Sequence, residues 1–446
     1  MEDNQRRKYQ LSVHEWIILG FAAIIVVGGL LLTLPIASAT GERVGLLDAL
    51  FTATSAVCVT GLIVVDTAST FSMFGEIVLL VLIQIGGLGF MTFGVVIAIL
   101  LGKKIGIKER LLIQESTKST SVQGLVKLSL NIFMIAFLFE VIASIILTIR
   151  WHAELGLGRA IYYAVFHSIS AFNNAGFALW PDSMGRYMGD PVINLVISML
   201  FIIGGIGFTV LIDLYKNRRW KKLSLNSKIV LLTSTLLTLS GFFVLFILEL
   251  LNPAGSSLTW GERVWVAYFQ GVAPRSGGFT TFDISQFLTA SQFFMIALMF
   301  IGGSSGSTAG GIKTNTFMVL VLAMYSSIRG RESVHVFDRR VANDVVLRAL
   351  AVIIISLGAV IVVAFLLTIT ERQNHDFIVL LFEATSAFAT VGLSLGVTSE
   401  LTWMGKVIVM ITMFAGRLGP LTLAYALARR KREMKIGYPE EKVLIG

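Results

Sequence analysis

Four short segments of this 446-residue chain hold the residue types that could do chemistry. They are Leu50–Leu62 (LFTATSAVCVTGL), Val165–Phe177 (VFHSISAFNNAGF), Phe269–Phe279 (FQGVAPRSGGF) and Leu381–Leu393 (LFEATSAFATVGL). Each closes on a glycine followed by Leu or Phe; that glycine comes ten residues after a Phe in the first, second and fourth segments and nine after it in the third. What the segments offer is peptide oxygen rather than acids, bases or thiols. A glycine-containing loop with small or β-branched neighbours, rising after a short helix, can point several carbonyls the same way. Four such loops form rings of oxygens, which can replace the hydration shell of a bare alkali cation. Glycine suits the tightest point, because a residue without Cβ accepts left-handed or strained dihedrals.

Elements must hold these loops in place, and composition says which. The chain is 55% apolar and only 14% charged, with a mean hydropathy of +0.81; a soluble domain is about 45–50% apolar and about 25% charged. A soluble enzyme and a disordered chain are both excluded, and an all-α integral membrane protein is expected. Runs of about 20 apolar residues are needed to cross a bilayer. Eight qualify, near 15–34, 76–101, 128–149, 192–214, 228–251, 291–323, 348–369 and 403–428. Between the members of each pair lies one of the short segments, near 46–63, 160–178, 264–281 and 377–393, as a re-entrant half-helix. Irregular backbone at membrane depth is tolerated only against protein or water, so four such loops point to a central aqueous path. Each half-helix would aim the partial negative charge of its carboxyl end at a dehydrated cation.

The spacing also shows a duplication. Gly61, Gly176, Gly278 and Gly392 recur at separations of 115, 102 and 114 residues, far beyond any solenoid period. A second mark follows each, in Ile85–Gly89, Ile203–Gly207, Ile301–Gly303 and Ala415–Gly419, with its first glycine 25, 28, 24 and 24 residues downstream. The chain therefore reads as four tandem span–half-helix–span repeats about a pseudo-fourfold axis. They occupy 15–101, 128–214, 228–324 and 348–428, joined by loops 102–127, 215–227 and 325–347 and flanked by termini 1–14 and 429–446.

Charge orients the whole. Of 36 Lys and Arg, 26 fall in the amino terminus, in residues 102–127, 215–228 and 325–348, and in the tail from Arg429. By the positive-inside rule these face the cytoplasm, with both termini, and the short segments face outward. The net charge of +9 is thus a record of topology in a multi-pass cell-membrane protein, not a nucleic-acid footprint. The run 15–33 is too long for a signal peptide and opens the first repeat. The single Cys58 permits no internal disulfide, and no metal cluster surrounds it.

The runs Ile83–Phe93, Ser170–Phe177, Pro274–Phe279 and Gly416–Pro420, in that order across the whole chain, resemble the Trk/Ktr/HKT superfamily of potassium transporters, most closely the bacterial Ktr membrane subunit. Thr390-Val391-Gly392 is also near the potassium-channel filter sequence Thr-Val-Gly-Tyr-Gly. The resemblance implies potassium uptake through a filter formed by Val59, Thr60 and Gly61; Asn174, Ala175 and Gly176; Ser276, Gly277 and Gly278; and Thr390, Val391 and Gly392. Plant relatives with Ser at the first filter glycine tend toward sodium, so Gly61 favours potassium; sodium dependence stays open. The third loop is one residue shorter and carries Pro274-Arg275, a departure that puts its carbonyl presentation in question. The resemblance further implies a homodimer and a cytoplasmic ring of nucleotide-binding subunits on the basic loops, with no covalent cofactor.

Residues Gly302, Gly303, Ser304, Ser305, Gly306, Ser307, Thr308, Ala309, Gly310 and Gly311 interrupt the second span of the third repeat. Each glycine there costs a helix about 1 kcal/mol against Ala, so the helix breaks, although small residues also favour close helix packing. The resemblance makes this loop a gate under the filter, with Lys313 at its end and Arg417 in the conduction path. Arg at the bilayer centre costs at least about 2.5–3.5 kcal/mol, so Arg417 faces protein or water; a structural ion pair or snorkelling is the plainer alternative. Glu76, Glu140, Asp213 and Glu249 read as interface or packing partners, Glu383 as a pore-helix residue bonding a neighbouring loop, Arg275 as a loop brace, and His167 and Cys58 as packing residues. A proton- or sodium-coupled carrier of another solute is the rival reading. Inverted repeats would start on opposite sides, whereas each repeat here starts and ends on the basic side. An enzyme would need an acid–base or metal cluster that the chain does not present.

Overall fold

Long apolar runs make helices whose outward faces need no water. In the computed structural model, which describes residues 13–89, 92, 125–331, 333–371 and 375–419, they do so throughout. The first helices are α1 (Val13–Leu32), α2 (Leu46–Val57), a single turn α3 (Thr67–Thr70) and α4 (Met73–Leu88). A 48-residue helix, α5 (Leu125–Phe172), is broken in direction at Gly156, whose φ of 73° and ψ of 162° are not helical. One glycine thus separates a long apolar helix from a short one running to Phe172. Then come α6 (Pro191–Ile206), α7 (Phe208–Lys216), α8 (Leu225–Leu250), α9 (Trp260–Val272), α10 (Thr289–Phe300), α11 (Thr314–Ile328), α12 (Asn343–Thr370), α13 (Phe377–Ala389) and α14 (Trp403–Leu418).

Caps explain where many of these begin. Ser72, Asp190, Ser224 and Thr402 accept backbone N–H bonds at the starts of α4, α6, α8 and α14, and Thr259 with Glu262 forms a full capping box on α9. Among the described residues, α1, α5, α8 and α12 are long and apolar enough to cross a bilayer, with a fifth span if α6 and α7 count as one. Their outward faces remain apolar: Ile149 on α5 is 73% exposed and Phe365 on α12 is 62% exposed. In a membrane protein such faces meet lipid.

Two expectations are corrected. The run 192–214 is not one continuous helix, because α6 and α7 meet at 93°. The cause is Gly207, at φ 101°, after which the N–H of Phe208 bonds the Gly306 carbonyl instead of continuing the helix. The fold is not purely α, because the loop 325–347 carries a strand pair. Val334–Val336 (β1) and Arg339–Val341 (β2) pair antiparallel through a two-residue turn at Phe337 and Asp338, both with positive φ, so the fold is helical with one small hairpin. The short helix expected near 160 is separate from the preceding long one, with Gly156 alone as the break between them. Positions 90–91 and 93–101 of the run 76–101, most of loop 102–127, positions 420–428, and the termini 1–12 and 429–446 lie outside the described residues.

The packing order positions the site. α4 packs on α5, α6 on α9, α10 on α13, and α14 returns to α2, so each glycine-marked helix lies on a short helix or the element containing one, and the last on the first. A part-buried ion pair of 2.7 Å between Lys406 of α14 and Asp48 of α2 joins chain end to chain start. Two large apolar cores, one built around α5, α6, α9 and α10 and the other around α1, α2, α4 and α14, flank this arrangement.

Candidate ion filter and gate

The ends of the four short helices share a local geometry. In the first, the Val59 N–H bonds the Ala56 carbonyl at 3.1 Å and the Thr60 N–H bonds the Ser55 carbonyl at 2.8 Å. Asn174 and Ala175 repeat this with Ala171 and Ser170, and Thr390 and Val391 with Ala387 and Ser386. This is a Schellman cap, which requires a left-handed residue where glycine is usual. Here that residue is Val59 (φ 54°), Asn174 (φ 61°) or Thr390 (φ 49°). For β-branched residues such a φ is a true outlier, retained only where the surroundings over-determine it. The third segment has Ser276 (φ 65°) at the matching place, but its shorter loop bonds Gly277 N–H to the Ala273 carbonyl at 2.7 Å, one residue nearer. Two residues beyond each left-handed position stands a glycine with positive φ: Gly61, Gly176, Gly278 and Gly392. Ser55 and Ser386 hydroxyls accept the Gly61 and Gly392 N–H groups at 3.0 and 3.1 Å, bracing two of the four turns from behind.

These four glycines are neighbours in a closed cycle. A methyl group added to Gly61 would meet Ala175 and Gly176; to Gly176, the Gly278 backbone; to Gly278, Gly176 and the Val391 carbonyl; to Gly392, the Thr60 carbonyl and Gly61. The structure therefore brings the four turns read as filter positions together; of their twelve residues Gly176 and Gly392 are partly covered and the others buried. Thr60 and Thr390 hydroxyls within them are buried with no protein hydrogen-bond partner. Buried polar atoms ordinarily find a partner, so orphan hydroxyls mark a place that suits a non-protein ligand or water.

The second glycine mark has a steric cause that the sequence does not state. Any Cβ on Gly86, Gly204 or Gly416 would collide with the carbonyl of Val57, Phe172 or Phe388, the residue four before each filter glycine. These glycines let a helix backbone touch the end of a short helix. Gly302 instead faces the Gly310 carbonyl, and here the third copy diverts into the loop 302–313. The last glycine of the mark ends its helix in the other copies, with φ of 83° at Gly89, 101° at Gly207 and 85° at Gly419. Sequence reasoning placed a break only in the third copy. The signal was present in the aligned glycines, but the continuous hydropathy across them hid it.

The loop from Gly302 to Gly311 lies directly against the ring. Ser304 and Thr308 N–H groups bond the Gly205 and Gly204 carbonyls at 2.8 and 3.2 Å, and Gly310 packs on Thr390. Ser307 Oγ donates to the Ser304 carbonyl at 2.7 Å, and Lys313 Nζ donates to the Ala309 carbonyl at 2.6 Å, closing the loop on itself. Gly303, Ser305, Gly306 and Gly311 complete the turn beside Gly205, Gly207 and Ala389. Arg417 donates to the Thr308 carbonyl and to the Gly86 and Gly87 carbonyls. Among the described residues its hydrogen-bond partners are peptide oxygens of the loop and of α4.

Other polar groups act as struts. Glu383 accepts from Ser394 and Thr398 hydroxyls at 2.8 and 2.6 Å, tying α13 to the loop that follows it. Arg275 donates to the Ser234 carbonyl and hydroxyl at 3.0 and 3.1 Å, bracing the third turn. His167 is fixed between the Tyr163 carbonyl at 2.7 Å and the Leu179 N–H at 3.1 Å. Glu140 lies against Gln84 and Asn173 amides at 3.1 and 3.2 Å, behind the second turn.

An apolar helical body closing on a ring of glycine turns is the build of a membrane transporter. A family model described as cation transport protein, TrkH, matches residues 2–435, and the chain belongs to that family; it is a membrane transporter and not an enzyme. It is 45% identical over 429 residues to Ktr system potassium uptake protein B of Bacillus subtilis (strain 168), covering 96% of this chain and 95% of that one. It is 42% identical to Ktr system potassium uptake protein B of Vibrio alginolyticus, covering 100% and 97%. The crystal structure of the potassium transporter TrkH from Vibrio parahaemolyticus superposes with a TM-score of 0.75 at 21% identity, over 95% of this chain and 87% of that one, and establishes the shared fold. The Trk/Ktr resemblance read from the motifs is borne out.

Proposed function

We propose that this protein takes up potassium ions across the cell membrane, through a filter made by the carbonyls of Val59–Gly61, Asn174–Gly176, Ser276–Gly278 and Thr390–Gly392. The observation that carries this reading is the closed cycle of four positive-φ glycine turns, each following a left-handed residue. Reversing backbone handedness along a short strand turns its carbonyls toward one side, and rings of such oxygens suit a dehydrated alkali cation. The carboxyl ends of the four short helices add partial negative charge close to the ring. Relatives at 45% and 42% identity are named potassium uptake proteins, which supports potassium as the cargo.

In this reading the chain forms eight spans and four re-entrant half-helices in four repeats, with termini and basic loops in the cytoplasm. The loop Gly302–Gly311, with Lys313 and Arg417, gates the path below the filter. A pair of chains and a cytoplasmic ring of nucleotide-binding subunits complete the working assembly. Expression in a bacterium unable to take up potassium tests it directly: growth at low external potassium is expected, stronger with a co-expressed cytoplasmic subunit. Failure to restore growth under both conditions would remove the potassium reading.

A further inference from the structure

Thr308 uses all three of its polar groups on three different parts of the molecule. Its N–H donates to the Gly204 carbonyl at 3.2 Å, its carbonyl accepts from Arg417, and its hydroxyl donates to Asn174 Oδ1 at 2.7 Å. Asn174 is the left-handed residue of the second turn and is fully buried, as are Thr308 and Ser276. Its amide nitrogen then donates to the Ser276 carbonyl at 2.7 Å and to the Phe201 carbonyl at 3.1 Å. One side chain therefore has the loop on one side and a carbonyl of the third filter strand on the other. The matching positions in the other copies, Val59, Ser276 and Thr390, have no amide and cannot make this bridge.

The amide has no spare freedom. Both N–H bonds are used on carbonyls and Oδ1 takes the Thr308 hydroxyl, so its orientation is fixed only while the loop is in place. The third strand is also the short one, lacking the Schellman bond that closes the other three turns. It depends more on an outside donor than they do. We propose that Thr308 and Asn174 couple the intramembrane loop to the filter, so that loop position sets how well the third strand discriminates potassium from sodium. This rests on the filter reading above. When the loop leaves, Oδ1 loses the donor that orients it, the amide turns, and the Ser276 carbonyl is released. Linkage makes the effect reciprocal: an ion that needs Ser276 in place favours the docked loop.

The test compares Thr308→Val, which removes the hydroxyl at nearly constant shape, with Thr308→Ser, which keeps it, and with Asn174→Leu. Each full-length chain is reconstituted in liposomes, and the potassium-to-sodium permeability ratio is read from the reversal potential. Thr308→Val is expected to lower the ratio by about fivefold or more, the lower end of ordinary coupling between sites. Thr308→Ser should keep the wild-type ratio. Thr308→Val combined with Asn174→Leu should be no worse than the poorer single variant, because both cut one link. A Thr308→Val ratio equal to wild type, with only total flux altered, would overturn the coupling. Should Asn174→Leu not fold, the Val and Ser variants alone decide. Gly278→Ser separates the two levels: a wild type without potassium preference, or one that Gly278→Ser leaves unchanged, defeats the filter reading itself, whereas a lost ratio in Gly278→Ser beside an intact one in Thr308→Val defeats the coupling only.

Discussion

At the scale of the residue, the decisive positions are those whose backbone leaves no room. Gly278 has φ 71° and faces Gly176 and the Val391 carbonyl; Gly392 has φ 88° and faces Thr60. A side chain at either must shift its neighbours or abandon its dihedral, at about 1–3 kcal/mol. Passed to the ion site, that strain weakens affinity by about tenfold for each 1.4 kcal/mol. Gly278→Ser and Gly392→Ser should therefore express normally yet take up rubidium with a KM raised about tenfold and with poorer discrimination against sodium. Unchanged uptake kinetics would count against the filter. These glycines were legible because they recur in matched segments. The left-handed residues two positions earlier were not. Val59 and Thr390 are among the residues least suited to positive φ, so a local reading assigns them extended backbone. Only the surrounding ring, which no short stretch contains, forces them there.

At the scale of the element, glycine has two opposite uses. Gly86, Gly204 and Gly416 admit a carbonyl from a neighbouring helix end, whereas Gly358 on α12 has nothing within 4 Å of where a Cβ would be. Gly416→Ala should lower the detergent-solubilised melting temperature, since the methyl drives into the Phe388 carbonyl. Gly358→Ala should raise stability by about 0.8–1 kcal/mol through helix propensity alone. A matched response of the two variants would show that the close helix contact is not what the glycine serves. The loop between α10 and α11 makes a separate claim: deleting Gly303 to Gly310 should fix the pore either open or shut. Regulated potassium uptake by the deleted protein would refute its role as a gate. The break in the third copy was readable from glycine density, because five glycines in ten positions defeat a helix. The break at Gly207 and the hairpin at 334–341 were not, since hydropathy runs through the first and three-residue strands leave almost no period to detect.

At the scale of the whole molecule, ligand and fold are linked. If the ring binds potassium only when all four turns are assembled, the ion stabilises the native chain by about 2.7 kcal/mol at a hundred times its Kd. The melting temperature should rise in potassium chloride relative to choline chloride, and Gly278→Ser should lose most of that rise. An equal effect of both salts would detach stability from the ring. The membrane class and the fourfold spacing were legible from composition and recurrence, but the order of contact was not: sequence gives the period, and only packing shows that α14 meets α2. That closing contact spans nearly the full chain, with Lys406 reaching Asp48 across 358 positions and Gly392 set beside Thr60. A polypeptide still emerging from the ribosome can set its first glycine turn beside the second, but the other side of that turn stays unmet until Gly392 is made. The cycle of turns thus closes only when the fourth joins the first, and three turns alone enclose no axis.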